Sequence, residues 1–305
     1  MLFWDGVGIG KKDAATNPLV AADLPVLRRL LDGEIWAAGK KGITAAFASC
    51  IPLDATFELE GLPQSGTGQA AIFAGVDIAG TVGKHFGPYV PASIRFDVEE
   101  KNIFRRLQAL GLKSAFANAY PQRYFEYLAS PRARQPVVSL AARSAGLLLN
   151  GHRELAAGKA VSADITATRW KEFGHQEVHA VAPETAGRQF YRLSHNIDFI
   201  LFEYFLTDKA GHEQSMGEAV DVLQRFDAFI GGILECWNPR QDTLLIVSDH
   251  GNVEDLSTKS HTRNKVPFII AGAGRKHFLH QVASLSDITP AVVTYCASCG
   301  KTNRL

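Results

Sequence analysis

The stretch TLLIVSDHGNVEDLSTKSHTRNKVPFII, residues 243–270, decides how the rest of the chain is read. Leu244 to Val247 is a short apolar run rich in strand formers, as expected of a buried parallel strand. It stops abruptly at Ser248, Asp249, His250, Gly251 and Asn252, and a polar loop carrying His261 leads into a second apolar run, Val266 to Ile270. In an open α/β sheet, ligands gather at the carboxyl ends of strands. Asp249, His250 and His261 are therefore expected at one sheet edge, where crowded oxygen and imidazole donors suit a metal better than they suit packing.

Two more apolar runs end in the same way. MLFW, residues 1–4, reads as a first strand in which the chain begins, closing on Asp5 and GVGIG. A carboxylate at the end of a buried strand is costly unless it is paired, hydrogen-bonded or on a metal. The plain alternative is a turn aspartate satisfied by backbone N–H groups. GVGIG lacks the GxGxxG spacing, which argues against a dinucleotide site. IDFILFEYFL, residues 197–206, ends in TDKAGHEQS, with Asp208 and His212 expected across a loop that contains Gly211. One such aspartate is ordinary, but three accompanied by histidines point to a shared site.

GLPQSGTGQAAIFAG, residues 61–75, adds a hydroxyl. Ser65 or Thr67 can cap a helix carrying Ala70, Ile72, Phe73 and Ala74, and free N–H groups at such a helix start favour an anion. The hydroxyl is either a cap or a nucleophile. With Asp5, Asp208, His212, Asp249, His250 and His261 it completes a set of three carboxylates, three imidazoles and one alcohol. That set suits a pair of divalent cations such as zinc or manganese, with magnesium poorer company for three imidazoles. Two such ions can activate a hydroxyl and steady both oxygens of a phosphate or sulfate ester displacement.

These pieces resemble the metalloenzyme core of the alkaline phosphatase superfamily, specifically its cofactor-independent phosphoglycerate mutase and phosphopentomutase branch. The matching segments are DGVGIG at 5–10, LPQSGTGQ at 62–69, TDKAGH at 207–212, SDHGNVED at 248–255 and SHTRNKVPF at 260–268. The resemblance implies one metal held by Asp5, Asp249 and His250, with the oxygen of Ser65 as a further ligand. It implies a second held by Asp208, His212 and His261. It also implies Ser65 as the nucleophile, with Thr67 the other candidate, and a phosphoenzyme whose phosphoryl group passes to water or to another hydroxyl of the substrate. Gln69 stands where the mutases often have histidine.

The resulting expectation is an α/β fold, a mostly parallel sheet flanked by helices, with a core of residues 1–120 and 181–305 and a small inserted cap at 121–180. Within the core, helices are expected at Leu24 to Leu31 (extending past Glu34), Phe96 to Leu110, Pro183 to Leu193, a segment reaching Leu234, and Asp287 to Tyr295. Strands are expected at Thr44 to Ser49 and Ser114 to Ala119. The cap has prolines at 121, 131 and 136, a helix at Val138 to Leu149, and Arg123, Arg132, Arg134, Arg143, Arg153 and Arg169, mostly surface charges by default, of which one or two can face the cleft and grip a substrate anion.

A formal charge of +1 gives no reason to expect nucleic acid or an anionic membrane as partner. No stretch approaches eighteen uncharged apolar residues and no basic leader precedes an apolar run, so a cytoplasmic protein acting on a small phosphorylated metabolite is expected. Cys50 and Cys236 read as reduced packing residues, and the Cys296/Cys299 pair supplies only half of a four-thiolate site. His85, His152, His175, His179 and His195 have no spacing that marks them as ligands. A sulfatase is disfavoured by the lack of a CxPxR or SxPxR motif. The expected activity is that of a phosphomutase, with a metal-dependent phosphomonoesterase or phosphodiesterase and a non-catalytic metal-binding protein as alternatives.

Overall fold

A computed structural model describes residues 1–33, 42–131 and 133–302, with side chains through Cys299. The continuation expected past Glu34 and the arginine at 132 lie outside the described residues. Nine strands occur among them: β1 (Leu2–Trp4), β2 (Ile43–Thr44), β3 (Ala48–Leu53), β4 (Ser114–Phe116), β5 (Asn118–Ala119), β6 (Val161–Ser162), β7 (Phe199–Tyr204), β8 (Thr243–Val247) and β9 (Val266–Gly272). Seven form one sheet in the order β2-β3-β9-β8-β1-β7-β4, and β5 pairs with β6 in a separate two-stranded sheet.

The sheet is parallel from β8 through β1 and β7 to β4, and antiparallel where β9, β3 and β2 join it. Two consequences place the site. The carboxyl ends of β8, β1 and β7 lie side by side, and antiparallel β9 starts at that same edge. β3 ends there too, since Leu53 pairs with Val266, and the chain leaves it toward Ser65.

Alternate residues of each strand face opposite sides, as a pleated strand requires. Phe3, Leu201, Leu245, Val247, Phe268 and Ile270 join one hydrophobic cluster, and Leu2, Trp4, Phe202, Tyr204, Ile246 and Ile269 join the other. The helices Ser65–Ala74, Ile103–Ala109, Val137–Ser144 and Ile288–Thr302 cover the first face, and Pro25–Leu30, Pro183–Leu193 and Met216–Leu234 cover the second. No described helix is long and apolar enough to cross a membrane.

Several elements differ from expectation. The single helix expected over Phe96 to Leu110 is two, Arg95–Glu100 and Ile103–Ala109. Buried Asn102 breaks it: its side chain caps the second helix at the Arg105 N–H and donates back to the carbonyls of Val98 and Glu99. The strand expected from Thr44 to Ser49 is two short strands about a turn, and that expected at Ser114 to Ala119 splits into β4 and β5, which serve different sheets. The last helix runs further, Ile288–Thr302. Cys236 is exposed rather than packed, while Cys50 and Cys296 are buried and Cys299 is exposed.

Within 121–180, the helix begins at Val137 and stops at Ser144, before Gly146 at φ +79°. Its Val137, Val138, Ala141 and Ala142 are fully buried in the first core cluster. Ala119, Ala160, Ala167, Trp170 and Val178 form a third, small cluster of their own, with the Trp170 indole donating to Ser162 Oγ at 2.6 Å.

Candidate metal centre

Asp5 follows β1 directly, and its N–H donates to the Tyr204 carbonyl of neighbouring β7. Asp249 and His250 follow β8, and His261 stands in the loop before β9. Asp208 and His212 were expected across a loop, but they lie four apart on one face of a helix, Leu206–Glu213. Gly211 is tolerated there because Asn252 lies against it: a Cβ at 211 would stand 2.6 Å from the Asn252 side chain. Gln214, in the left-handed region at φ 54°, closes the helix.

Ser65 is the first residue of the helix Ser65–Ala74. That helix presses on the Asp249 loop so closely that a Cβ at Gly68 would meet the Asp249 carbonyl oxygen at 2.7 Å. The contact brings Ser65 Oγ to 3.0 Å from His250 Nε2. Thr67, the other candidate hydroxyl, is not brought to the cluster. Fully buried, its Oγ1 donates to the Gln64 carbonyl at 3.0 Å and accepts from the Phe86 N–H at 3.4 Å.

Around these, two groupings form. In one, His250 Nε2 stands 3.4 Å from Asp5 Oδ1 and 3.5 Å from Asp249 Oδ2. In the other, His212 Nε2 lies 3.4 Å from Asp208 Oδ2, His261 Nε2 lies 3.6 Å from Asp208 Oδ1, and the two Nε2 atoms are 3.2 Å apart. The groupings touch: the rings of His250 and His261 stack at 3.8 Å, and Asp208 Oδ1 is 4.0 Å from His250 Nδ1.

Three features test whether this set suits divalent cations. First, Asp5 Oδ1 and Asp249 Oδ2 are buried with no hydrogen-bond partner, which is costly for a carboxylate oxygen unless a cation meets it. Second, each histidine turns Nδ1 to a backbone carbonyl: His212 to Lys259 at 2.8 Å, His261 to Pro63 at 2.7 Å and His250 to Gly251 at 3.4 Å. A carbonyl only accepts, so Nδ1 carries the hydrogen and the Nε2 lone pair of each neutral ring points inward. Third, the lone pairs of His212 and His261 then face each other at 3.2 Å. Two nitrogens on one tetrahedral ion stand about 3.3 Å apart. The residues fit.

Without a cation the charges are ill at ease. Burial, then the neighbouring Asp249, raises Asp5 well above the carboxylate range, and burial raises Asp249 as well. Burial works against a charged His250, but Asp249, Asp5 and Asp208 outweigh it and push the ring up to about 10. Burial and the adjacent His250 push His261 down to about 4, while the bond to Asp208 raises His212. Burial works to raise Asp208 too, yet His212, His250 and Asn252 together hold it well below its usual range.

Residues that sequence reasoning left unassigned complete the site. Asn252 Nδ2 donates to Asp208 Oδ1 at 2.7 Å, and Gln69 Nε2 reaches Asp5 Oδ2 at 3.5 Å. Glu203, buried on β7, accepts from Tyr120 Oη at 3.4 Å and is raised to about 7, first by burial and then by Asp249. A lone acid in the apolar run FILFEY was the available signal.

His152 and His175, not expected as ligands, stack at 4.5 Å with ring nitrogens 3.7 and 3.8 Å from Glu177 Oε1. The Gln122 N–H donates to His175 Nε2 at 3.5 Å, which puts the proton of a neutral ring on Nδ1, facing Glu177. With its hydrogen there, Nδ1 has no lone pair to offer a cation beside Glu177.

Residues 184–298 match the family described as the metalloenzyme superfamily. A 2,3-bisphosphoglycerate-independent phosphoglycerate mutase of Gloeothece citriformis is 32% identical over 108 residues, covering 31% of this chain and 20% of the relative. The chain thus spans about a fifth of the length of the curated relatives it matches. Two solved structures share the fold almost end to end. The PH0037 protein of Pyrococcus horikoshii has TM-score 0.57 at 16% identity, covering 98% of this chain and 96% of that one. The alkaline phosphatase of the Antarctic bacterium TAB5 has TM-score 0.55 at 14% identity, covering 98% and 97%.

Proposed function

We propose that this chain is a metalloenzyme of the alkaline phosphatase superfamily, on its phosphoglycerate-mutase-like side, and that it transfers a phosphoryl group on a small phosphorylated metabolite, as a phosphomutase; the family match, the mutase relatives and the shared fold support the reading. The observation that carries the reading is the placement of Ser65 Oγ, 3.0 Å from His250 Nε2, at the start of a ten-residue helix and beside two unpartnered carboxylate oxygens.

Asp5, Asp249 and His250 would hold one divalent cation, manganese or zinc, and Asp208, His212 and His261 the other. Bound there, the cations would lower the pKa of an alcohol and neutralise phosphate oxygens. Ser65 Oγ would attack phosphorus opposite the ester oxygen, so that the Oγ–P bond forms as the ester O–P bond breaks, and the proton given up by the serine hydroxyl is balanced by the one the departing ester oxygen takes up. The positive end of the helix that starts at Ser65 would favour the phosphate oxygens. The Oγ–P bond would then break as a different hydroxyl of the same substrate takes the phosphoryl group, its proton replacing the one on Ser65 Oγ.

Retaining that group requires exclusion of water. We propose residues 121–180 as the covering module and 1–120 with 181–305 as the core. Because Val137–Ser144 is packed into that core, the closing part would be residues beyond Gly146. The half-exposed His212 side chain favours a second reading, in which water takes the phosphoryl group and the enzyme is a phosphomonoesterase.

Metal-loaded protein incubated with a panel of phosphate monoesters, with isomerised product and free phosphate followed separately, tests both. Isomer without phosphate supports the mutase and phosphate alone the esterase. In either case Ser65→Ala should remove at least about 10³-fold of kcat/KM, while Thr67→Ser should remain within a few-fold. Full activity in Ser65→Ala would overturn the assignment of the nucleophile.

A further inference from the structure

Four residues past His250 lies Glu254, a carboxylate only 1% exposed. It is spent entirely on donors. Oε2 accepts from the Gly8 N–H at 2.8 Å and the Asn252 N–H at 2.7 Å. Oε1 accepts from Thr262 Oγ1 and from Asn264 Nδ2 at 3.0 Å. Four donors use the lone pairs of both oxygens, so Glu254 is not itself a ligand.

What it binds is informative. Gly8 is three residues beyond Asp5, Asn252 two beyond His250, and Thr262 directly follows His261. These segments are 246, 2 and 8 residues away along the chain, yet they meet on one carboxylate. Asn252 extends the tie to the fourth segment, since its Nδ2 donates to Asp208 at both O and Oδ1, 3.1 and 2.7 Å. Direct backbone bonds between the loops are few: Val253 N–H to the Gly6 carbonyl, Leu256 N–H to Thr16, Thr262 N–H to Gly251 and Ile9 N–H to Lys265.

We propose that Glu254 is a positioning residue for the metal centre: its buried carboxylate joins the loops after β1, after β8 and before β9, and so sets how tightly the folded protein holds divalent cations. Buried charge-assisted hydrogen bonds are the strong kind, and removal of groups that orient ligands typically weakens a metal roughly 10- to 100-fold. The inference rests on the metal reading given above.

The test is equilibrium dialysis of the full chain against Zn²⁺ or Mn²⁺, counting bound ions, beside thermal melts in chelator. Wild type should bind two ions, and Glu254→Gln should bind them roughly 10- to 100-fold more weakly. Thr262→Val and Asn264→Ala each remove one donor and leave the charge in place. Each should weaken binding by a smaller factor, about 2- to 10-fold, and they keep the test available should Glu254→Gln fail to fold. A structural role alone would lower the melting temperature in chelator and leave the affinity of the folded protein unchanged, overturning the proposal. So would weakening in Glu254→Gln with none in Thr262→Val or Asn264→Ala, since lost charge would then explain it. Wild type that binds no cation would instead overturn the metal reading itself.

Discussion

The two halves of the candidate centre contain the same kinds of residue and stand in opposite surroundings. The side chains of Asp249 and His250 are fully buried and that of Asp5 is 10% exposed, whereas Asp208 is 20% and His212 46% exposed, with His261 the buried member of that second half at 8%. Burial makes the difference chemical. In the dry half, Asp5 and Asp249 each keep one unpartnered oxygen and are shifted up, while the surrounding carboxylates push His250 up. In the open half, Asp208 is well stabilised by His212 and Asn252. The dry half thus depends on a cation to relieve its crowding, while the open half accommodates one without depending on it.

Substitution of one residue from each half should give the largest effects. Asp249→Asn should cut kcat/KM by about 10³-fold or more at any metal concentration. His212→Asn should cost roughly 10- to 100-fold and recover at excess metal. Their melting temperatures in chelator should part as well: Asp249→Asn relieves a buried like-charge cluster and raises the midpoint, while half-exposed His212→Asn leaves it nearly unchanged. Equal activity losses, both rescued by metal, would abolish the distinction between the halves.

Proton counting is the next sharper comparison. Near neutral pH the metal-free His250, with its pKa pushed up to about 10, carries a proton that a cation must expel, whereas His261, pushed down to about 4, is already neutral. Ion binding at the dry half should therefore release at least one proton at pH 7, from His250 and from whatever the raised Asp5 and Asp249 still hold, and tighten as pH rises toward 10. Binding at the open half should release a smaller fraction, from the raised His212 alone. Titration calorimetry in buffers of different ionisation heat reads both numbers. Equal release in the two phases would mean that the carboxylates do not hold His250 charged.

The parts of this centre that were legible in sequence were those whose cost is local. An acid that closes an apolar run, as Asp5 and Asp249 do, marks itself within five residues. The Asp208–His212 pair was found, but its helix was read as a loop, because Gly211 answers to Asn252 from another strand end rather than to a turn. Asn102 hid a break inside a continuous apolar pattern, since its partners are backbone groups that no periodicity reveals. Glu254 was illegible for the same reason on a longer scale: one of its four donors lies 246 residues away. Which of Ser65 and Thr67 faces the cluster likewise awaited the seat of a helix against the Asp249 loop.

The smallest effect reaches the dry half from behind, through Glu203. Its carboxyl is raised to about 7 from an ordinary 4.5, by burial and then by the charge of Asp249. The unfolded chain gives up this proton at the lower pH, so the stability tied to the protonated form is complete below about 4.5 and is lost as pH rises through about 7. Fully expressed, the loss is roughly 3 kcal/mol, or a few degrees in the melting temperature of a chain this long. Glu203→Gln keeps an acceptor for Tyr120 and cannot ionise, so in chelator its melting temperature should fall less than wild type between pH 4.5 and 7. Bound cations, by neutralising Asp249, should shrink that difference. An equal slope for both proteins in chelator would show that Glu203 does not feel the dry half's charge, and would confine the contrast to the ligands themselves.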